Sequence, residues 1–106
     1  MAPTLANLLI IEAPAGRESE LERRLSAFVL LSRQAEGCMS YDLYQSLEEA
    51  TRFLLQIRWR DRESLDRHLA SPELKEFLED SSALVAASFA VAYRNFLPEG
   101  NGGDLT

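Results

Sequence analysis

An α+β domain, with four antiparallel strands backed by helices, is predicted by three features of this sequence. Apolar residues alternate with period two over Cys38–Gln45 and again over Arg52–Trp59. A helical spacing governs the segment before them, and two helix-start signals, Asp61 and Ser71-Pro72, follow. The resulting order is β-α-β-β-α(α)-β, a central hairpin held between two helical crossovers.

Leu5 to Ile11 is apolar and β-branched, with Asn7 as a polar interruption, and Ala13-Pro14-Ala15-Gly16 ends it as a first strand. A helix is expected from about Glu18 to Gln34, because Leu21, Leu25, Phe28, Ser32 and Ala35 recur at helical spacing while Val29 and Leu31 widen the stripe. Gly37 stops it. In the second strand Met39, Tyr41 and Leu43 are expected to face one way and Ser40, Asp42 and Tyr44 the other. In the third, Phe53, Leu55, Ile57 and Trp59 oppose Arg52, Leu54, Gln56 and Arg58. The larger apolar set is expected to meet the helices.

Asp61 caps a short helix through Leu69, on which Leu65, His68 and Leu69 share one face. Ser71-Pro72 restarts the chain as a second helix, since serine accepts a first-turn N–H and proline lacks a donor that the first turn would leave orphaned. That helix is expected to end near Leu84, and a last strand to run from about Ser88 to Phe96, broken by Pro98. The whole is a ferredoxin-like plait. Its helix-free sheet face still carries apolar residues, and pairing two copies through that face, as a dimeric α/β barrel, keeps it dry.

At 106 residues the chain fits one domain, assigned to residues 1–98, with residues 99–106 as a flexible tail. A chain of this size spares little interior for a deep pocket, so a partner subunit is a natural way to enclose a ligand. The net charge of −6, with no basic patch, excludes general nucleic-acid binding. A single cysteine, Cys38, excludes an intrachain disulfide framework and suits a reducing compartment. The apolar run Leu8 to Ile11 is too short to cross a membrane and no lysine-rich segment precedes it. A soluble, cytoplasmic protein without membrane partners is expected.

Metal and nucleotide chemistry lack their usual donors. One histidine and one cysteine do not make a zinc set, and Gly16 and Gly37 are isolated rather than part of a phosphate-cradling loop, so no cofactor is expected. Cys38 opens a strand without an adjacent base and reads as a small hydrophobe. His68 titrates near physiological pH and can take a proton from a phenol or enol, but its place beside Leu65 and Leu69 fits a structural histidine equally. Trp59 fits core packing or an aromatic pocket wall. Tyr41 and Tyr44 project from opposite strand faces, and Tyr44, on the polar side with Asp42, is the preferred pocket residue. Asn7 and Arg58 can hydrogen-bond an aromatic oxygen, although Arg58 can also pair with a surface carboxylate.

Three pieces in this order and spacing, Glu36-Gly37-Cys38-Met39-Ser40-Tyr41-Asp42-Leu43-Tyr44, then Arg52-Phe53, then Trp59-Arg60-Asp61 leading to Leu65, His68-Leu69 and Ser71-Pro72, resemble the antibiotic biosynthesis monooxygenase family, which includes small quinol-monooxygenase-like proteins. The likeness runs from Leu5 to Phe96. It implies a homodimer that oxidises a small quinol or polyphenolic aromatic with dioxygen and without metal, flavin or haem. On that reading His68 removes or holds the phenolic proton and Trp59 shapes the cavity. Asn7 and Arg58 would steady developing oxyanion charge. The chain departs from the family pattern at Ile57, where many relatives carry a glutamate. It also departs from the haem-degrading branch: His68 stands at the place of its tryptophan, Leu78 at that of its histidine, and Leu9 rather than Asn7 at that of its asparagine. Isomerisation of a small enolisable metabolite, or non-enzymatic small-molecule binding or assembly, are the alternative functions.

Overall fold

A computed structural model describes residues 5–94. The strands are β1 (Leu5–Glu12), β2 (Cys38–Gln45), β3 (Arg52–Trp59) and β4 (Ala87–Arg94), and the helices are α1 (Glu18–Ser32), α2 (Arg62–Leu69) and α3 (Pro72–Asp80). A single 3-10 turn, Ser82–Leu84, lies between α3 and β4. All strand pairs are antiparallel and the sheet order is β2-β3-β1-β4, as the plait requires. Of the expected last strand, Phe96 lies outside the described residues, as do Pro98 and the tail assigned to residues 99–106.

Two local signals work as chemistry demands. The Asp61 carboxylate accepts from the Ser64 backbone N–H at 2.8 Å and starts α2. The Ser71 hydroxyl accepts from the Leu74 N–H at 3.2 Å and starts α3, with Pro72 in its first turn. The C-terminal helix is shorter than the sequence pattern implies. Its last turn closes at Ser81, and the 3-10 turn carries the chain to the sheet edge.

The core lies between α1 and α2 and one face of the sheet. Leu21, Leu25, Phe28 and Val29 from α1 meet Phe53, Leu55, Ile57 and Trp59 from β3, all of them buried. Ser32 is buried on the same helix stripe, whereas Leu31 is exposed. One correction concerns β2. The pairing shifts between Cys38 and Ser40, so Cys38 stands opposite Trp59, Ser40 opposite Arg58, and Met39 is the extra residue of the irregularity. Met39 is therefore half-exposed instead of sharing the buried side with Tyr41.

On the opposite face, register places Tyr44, Leu54, Ile10 and Phe89 in one row across all four strands. Each neighbour in this row is apolar or aromatic, and Tyr44, Ile10 and Phe89 are exposed.

Candidate active site

The four residues that make up the site arrive from four elements. On the helix-facing side of the sheet, Tyr41 of β2 and Asn7 of β1 stand in one row with Ile57 of β3 between them. Trp59 is one step further along β3, and His68 descends from α2 onto this surface. The imidazole packs on the indole with ring centroids 4.9 Å apart, and its Nε2 lies 3.2 Å from the Tyr41 hydroxyl. Tyr41 also meets Trp59 edge-on, and Phe28 of α1 closes the cluster against both Tyr41 and His68. The indole N–H of Trp59 donates to Asn7 Oδ1 at 2.9 Å. That bond fixes the Asn7 amide, leaving its Nδ2 as the donor end.

Burial sets the electrostatics. Trp59 is fully buried, Tyr41 nearly so, and His68 is 9% exposed. Burial holds the His68 imidazole below its ordinary pKa of 6.5, with the Glu73 carboxylate pulling weakly the other way, so the ring is neutral at physiological pH. Burial also pushes the Tyr41 phenol far above its ordinary value, against a hydrogen bond with Ser32 that favours ionisation, so Tyr41 remains a phenol. Two neutral groups thus share one hydrogen bond. When the imidazole proton sits on Nε2, that N–H donates to the Tyr41 oxygen and Nδ1 is left as the proton acceptor. The Cys38 thiol is pushed up by burial and donates to the Ser40 carbonyl at 3.6 Å, which suits a packed thiol rather than a nucleophile.

The depressed imidazole has a consequence for stability. As pH falls below about 6.5, the unfolded chain takes up the proton before the folded one does. Stability is therefore fully present above the ordinary value and is lost as pH falls toward the depressed folded value. His68 is the only histidine. Urea unfolding at pH 7.5 and 5.5 is accordingly expected to show a larger acid-side loss for the wild type than for His68→Gln; equal losses would mean that His68 is not held neutral.

The sequence-based candidates separate cleanly. Asn7, Trp59 and His68 come together, whereas Tyr44 and Arg58 stand by strand register on the opposite face of the sheet. Tyr41 joins the site unannounced. The signal for it was present, because alternation puts Tyr41 on the Leu43 side of β2, the side that packs with Trp59.

A cleft of ≈ 400 Å³ opens between α1 and α3, with Phe28 and Phe77 on its wall. These two rings stack at 4.6 Å, and Phe28 is shared with the His68 cluster. Among the described residues, no group of three or more His, Cys, Asp or Glu side chains could hold a metal ion, and no helix is long and apolar enough to cross a membrane.

This fold and this aromatic, histidine-bearing interior define a small α+β protein of a recognised kind. The family model for antibiotic biosynthesis monooxygenase matches residues 6–80, and the chain belongs to that family. Among curated proteins, the chain is 34% identical over 76 residues to the uncharacterised protein sll1783 of Synechocystis sp., a match that covers 72% of this chain and 52% of that protein. The chain thus spans about half the length of this relative. It is also 34% identical over 73 residues to Rv0793 of Mycobacterium tuberculosis, whose name proposes a monooxygenase, covering 69% of this chain and 71% of that one. Among solved structures, PA3566 of Pseudomonas aeruginosa superposes with a TM-score of 0.82 at 30% identity, covering 92% of this chain and 97% of that chain.

Proposed function

We propose that this protein is a cofactor-independent monooxygenase that oxidises a small quinol or polyphenolic aromatic with dioxygen. The observation that carries the proposal is the buried, neutral His68, held by Tyr41 through one ring nitrogen and packed on Trp59. A neutral imidazole in a water-poor aromatic setting can take a phenolic or enolic proton. The resulting anion is electron-rich enough to pass one electron to dioxygen. The substrate radical and superoxide then combine through a carbon–oxygen bond, His68 returns its proton to the outer oxygen, and cleavage of the O–O bond with loss of the hydrogen on that carbon releases water and leaves a carbonyl on the substrate. One oxygen atom ends in the product and the other in water, with the substrate supplying all the electrons. Asn7 Nδ2 is suited to donate to the developing oxyanion. Arg58, on the far side of the sheet, takes no part in this step.

Oxygen-electrode measurements with a quinol or anthrone, without added metal or flavin, test the proposal. Uptake matched to product formation is the expected result, and product forming equally fast under nitrogen would replace it with the isomerase reading. A second reading, in which His68 serves packing, is favoured by the ring's burial among Phe28, Tyr41 and Trp59.

The functional unit is proposed to be a homodimer formed through the helix-free sheet face. The row Tyr44, Leu54, Ile10 and Phe89 would leave contiguous apolar surface in water in a lone subunit. Sedimentation of the wild type is expected to give a dimer and Ile10→Asp a folded monomer. A wild-type monomer at micromolar concentration would remove the interface.

A further inference from the structure

Two oxidisable rings of the buried cluster are tied to very different hydrogen-bond partners. Trp59, the only tryptophan, is fully enclosed, and its N–H is held at 2.9 Å by Asn7 Oδ1. An amide oxygen accepts a hydrogen bond but is no base that could keep the proton. An indole that loses an electron here therefore stays a cation and a strong oxidant. Tyr41 is placed the other way round: its hydroxyl lies 3.2 Å from Nε2 of His68, the only histidine, whose neutral ring is a base. The two rings are in reach of each other. Tyr41 meets Trp59 edge-on with centroids 6.5 Å apart, and the imidazole packs against both, at 5.6 Å from Tyr41 and 4.9 Å from Trp59.

Burial decides how an electron can leave Tyr41. The side chain is nearly enclosed and held as a phenol, so its proton does not depart first. Loss of the electron alone would leave a charged phenol ring in an apolar interior. Moving the electron to an oxidised Trp59 and the proton to His68 Nε2 in one event avoids both charged forms of Tyr41. The single positive charge then passes from the indole, which has no base, to the imidazole, where the Glu73 carboxylate favours it. This step uses the tautomer whose proton is on Nδ1, in which the Tyr41 O–H donates to Nε2. Tyr44 and Tyr93 are exposed, and the chain has no second histidine to pair with either.

We infer that the Tyr41–His68 pair is a radical sink for the interior. A one-electron oxidant such as a peroxyl radical takes an electron from Trp59; Tyr41 returns an electron to the indole as its proton moves to His68 Nε2, leaving a neutral phenoxyl radical on Tyr41 and an imidazolium on His68. A thiol or quinol in solution then supplies one electron, and the proton goes back to the Tyr41 oxygen. As the safeguard of an oxygen-using centre, this rests on the oxidative reading of His68. As a relay for one electron and one proton it stands on the contacts among Trp59, Tyr41 and His68.

Flash photoionisation of Trp59 under argon, with hexaamminecobalt(III) taking up the ejected electron, tests the relay without substrate. Tyr44→Phe and Tyr93→Phe together make Tyr41 the only tyrosine of the protein used. The indole radical is expected to decay as a tyrosyl radical grows at the same rate, and both are expected to slow in D2O because a proton moves with the electron. His68→Gln is expected to slow the transfer about 10²-fold or more, since glutamine offers no base. Absence of tyrosyl growth, growth at one rate in H2O and D2O, or an unchanged rate in a folded His68→Gln overturns the inference; the first two are read without altering the site. Under peroxyl radicals from a water-soluble azo initiator, Trp59 oxidation products are expected to accumulate faster in Tyr41→Phe than in the wild type. Equal accumulation removes the sink. A working relay in a protein that takes up no oxygen with a quinol sinks the oxidative reading and upholds the sink. Oxygen uptake without transfer from Tyr41 to Trp59 does the reverse.

Discussion

Gly37→Ala should destabilise the protein by about 3 kcal/mol or more, lowering its melting midpoint on the order of 15 °C. Gly37 has φ of +84°, a region in which a side chain costs about 1–2 kcal/mol by itself. A Cβ there would also run into the Cβ and hydroxyl of Ser64, a buried residue rather than a flexible tip. Ser64 cannot retreat freely, because both its N–H and its hydroxyl are bonded to the Asp61 carboxylate that starts α2. Displacing it forfeits the cap, worth about 1 kcal/mol. Gly37 moreover accepts from the Arg60 N–H at 2.8 Å, just beyond Trp59, so the strain reaches the strand that carries the indole. Gly16→Ala is the natural control: φ there is +87° but nothing lies within 4 Å of the added carbon. Its loss should stay near 1 kcal/mol. Equal midpoints for the two variants in calorimetry would show that the crowding against Ser64 is not felt.

Replacing His68 should reduce oxygen uptake with a quinol about 10²- to 10⁴-fold, the range spanned by a positioned proton acceptor. His68→Gln is the cleaner substitution. Glutamine can keep a hydrogen bond to the Tyr41 hydroxyl and fill much of the space, whereas His68→Ala removes that bond and opens a cavity beside the phenol. The wild-type rate should rise with pH through an acid limb placed below 6.5, because burial depresses the imidazole and only its neutral form accepts a proton. Tyr41→Phe, which frees Nε2 while keeping the ring, should lower the rate by less and move that limb. A folded His68→Gln that takes up oxygen at the wild-type rate would assign His68 to packing.

Much of this arrangement is legible in the sequence, and the parts that are not have physical reasons. Alternation in β3 gives its buried face residue by residue, and the caps at Asp61 and Ser71 place both short helices, because each is a local property of a few neighbouring residues. The irregularity that exposes Met39 depends on how β2 pairs with β3, which no single strand encodes. Polarity alone favours Tyr44 over Tyr41, because Tyr44 shares its side of β2 with Asp42. Here the polar side faces away from the helices, and the candidate groups Tyr41 and His68 collect among apolar side chains, where burial can shift a pKa.

The candidate centre is also a creature of long-range contact. Asn7 and Trp59 meet across 52 residues of chain, and Tyr41 and His68 across 27. No contiguous fragment shorter than that span assembles it, and no local helix or hairpin holds a piece that could work alone. The cluster is therefore an all-or-nothing property of the completed sheet: it is absent while the β1–β3 pairing is open, and disappears as a unit when that pairing is lost.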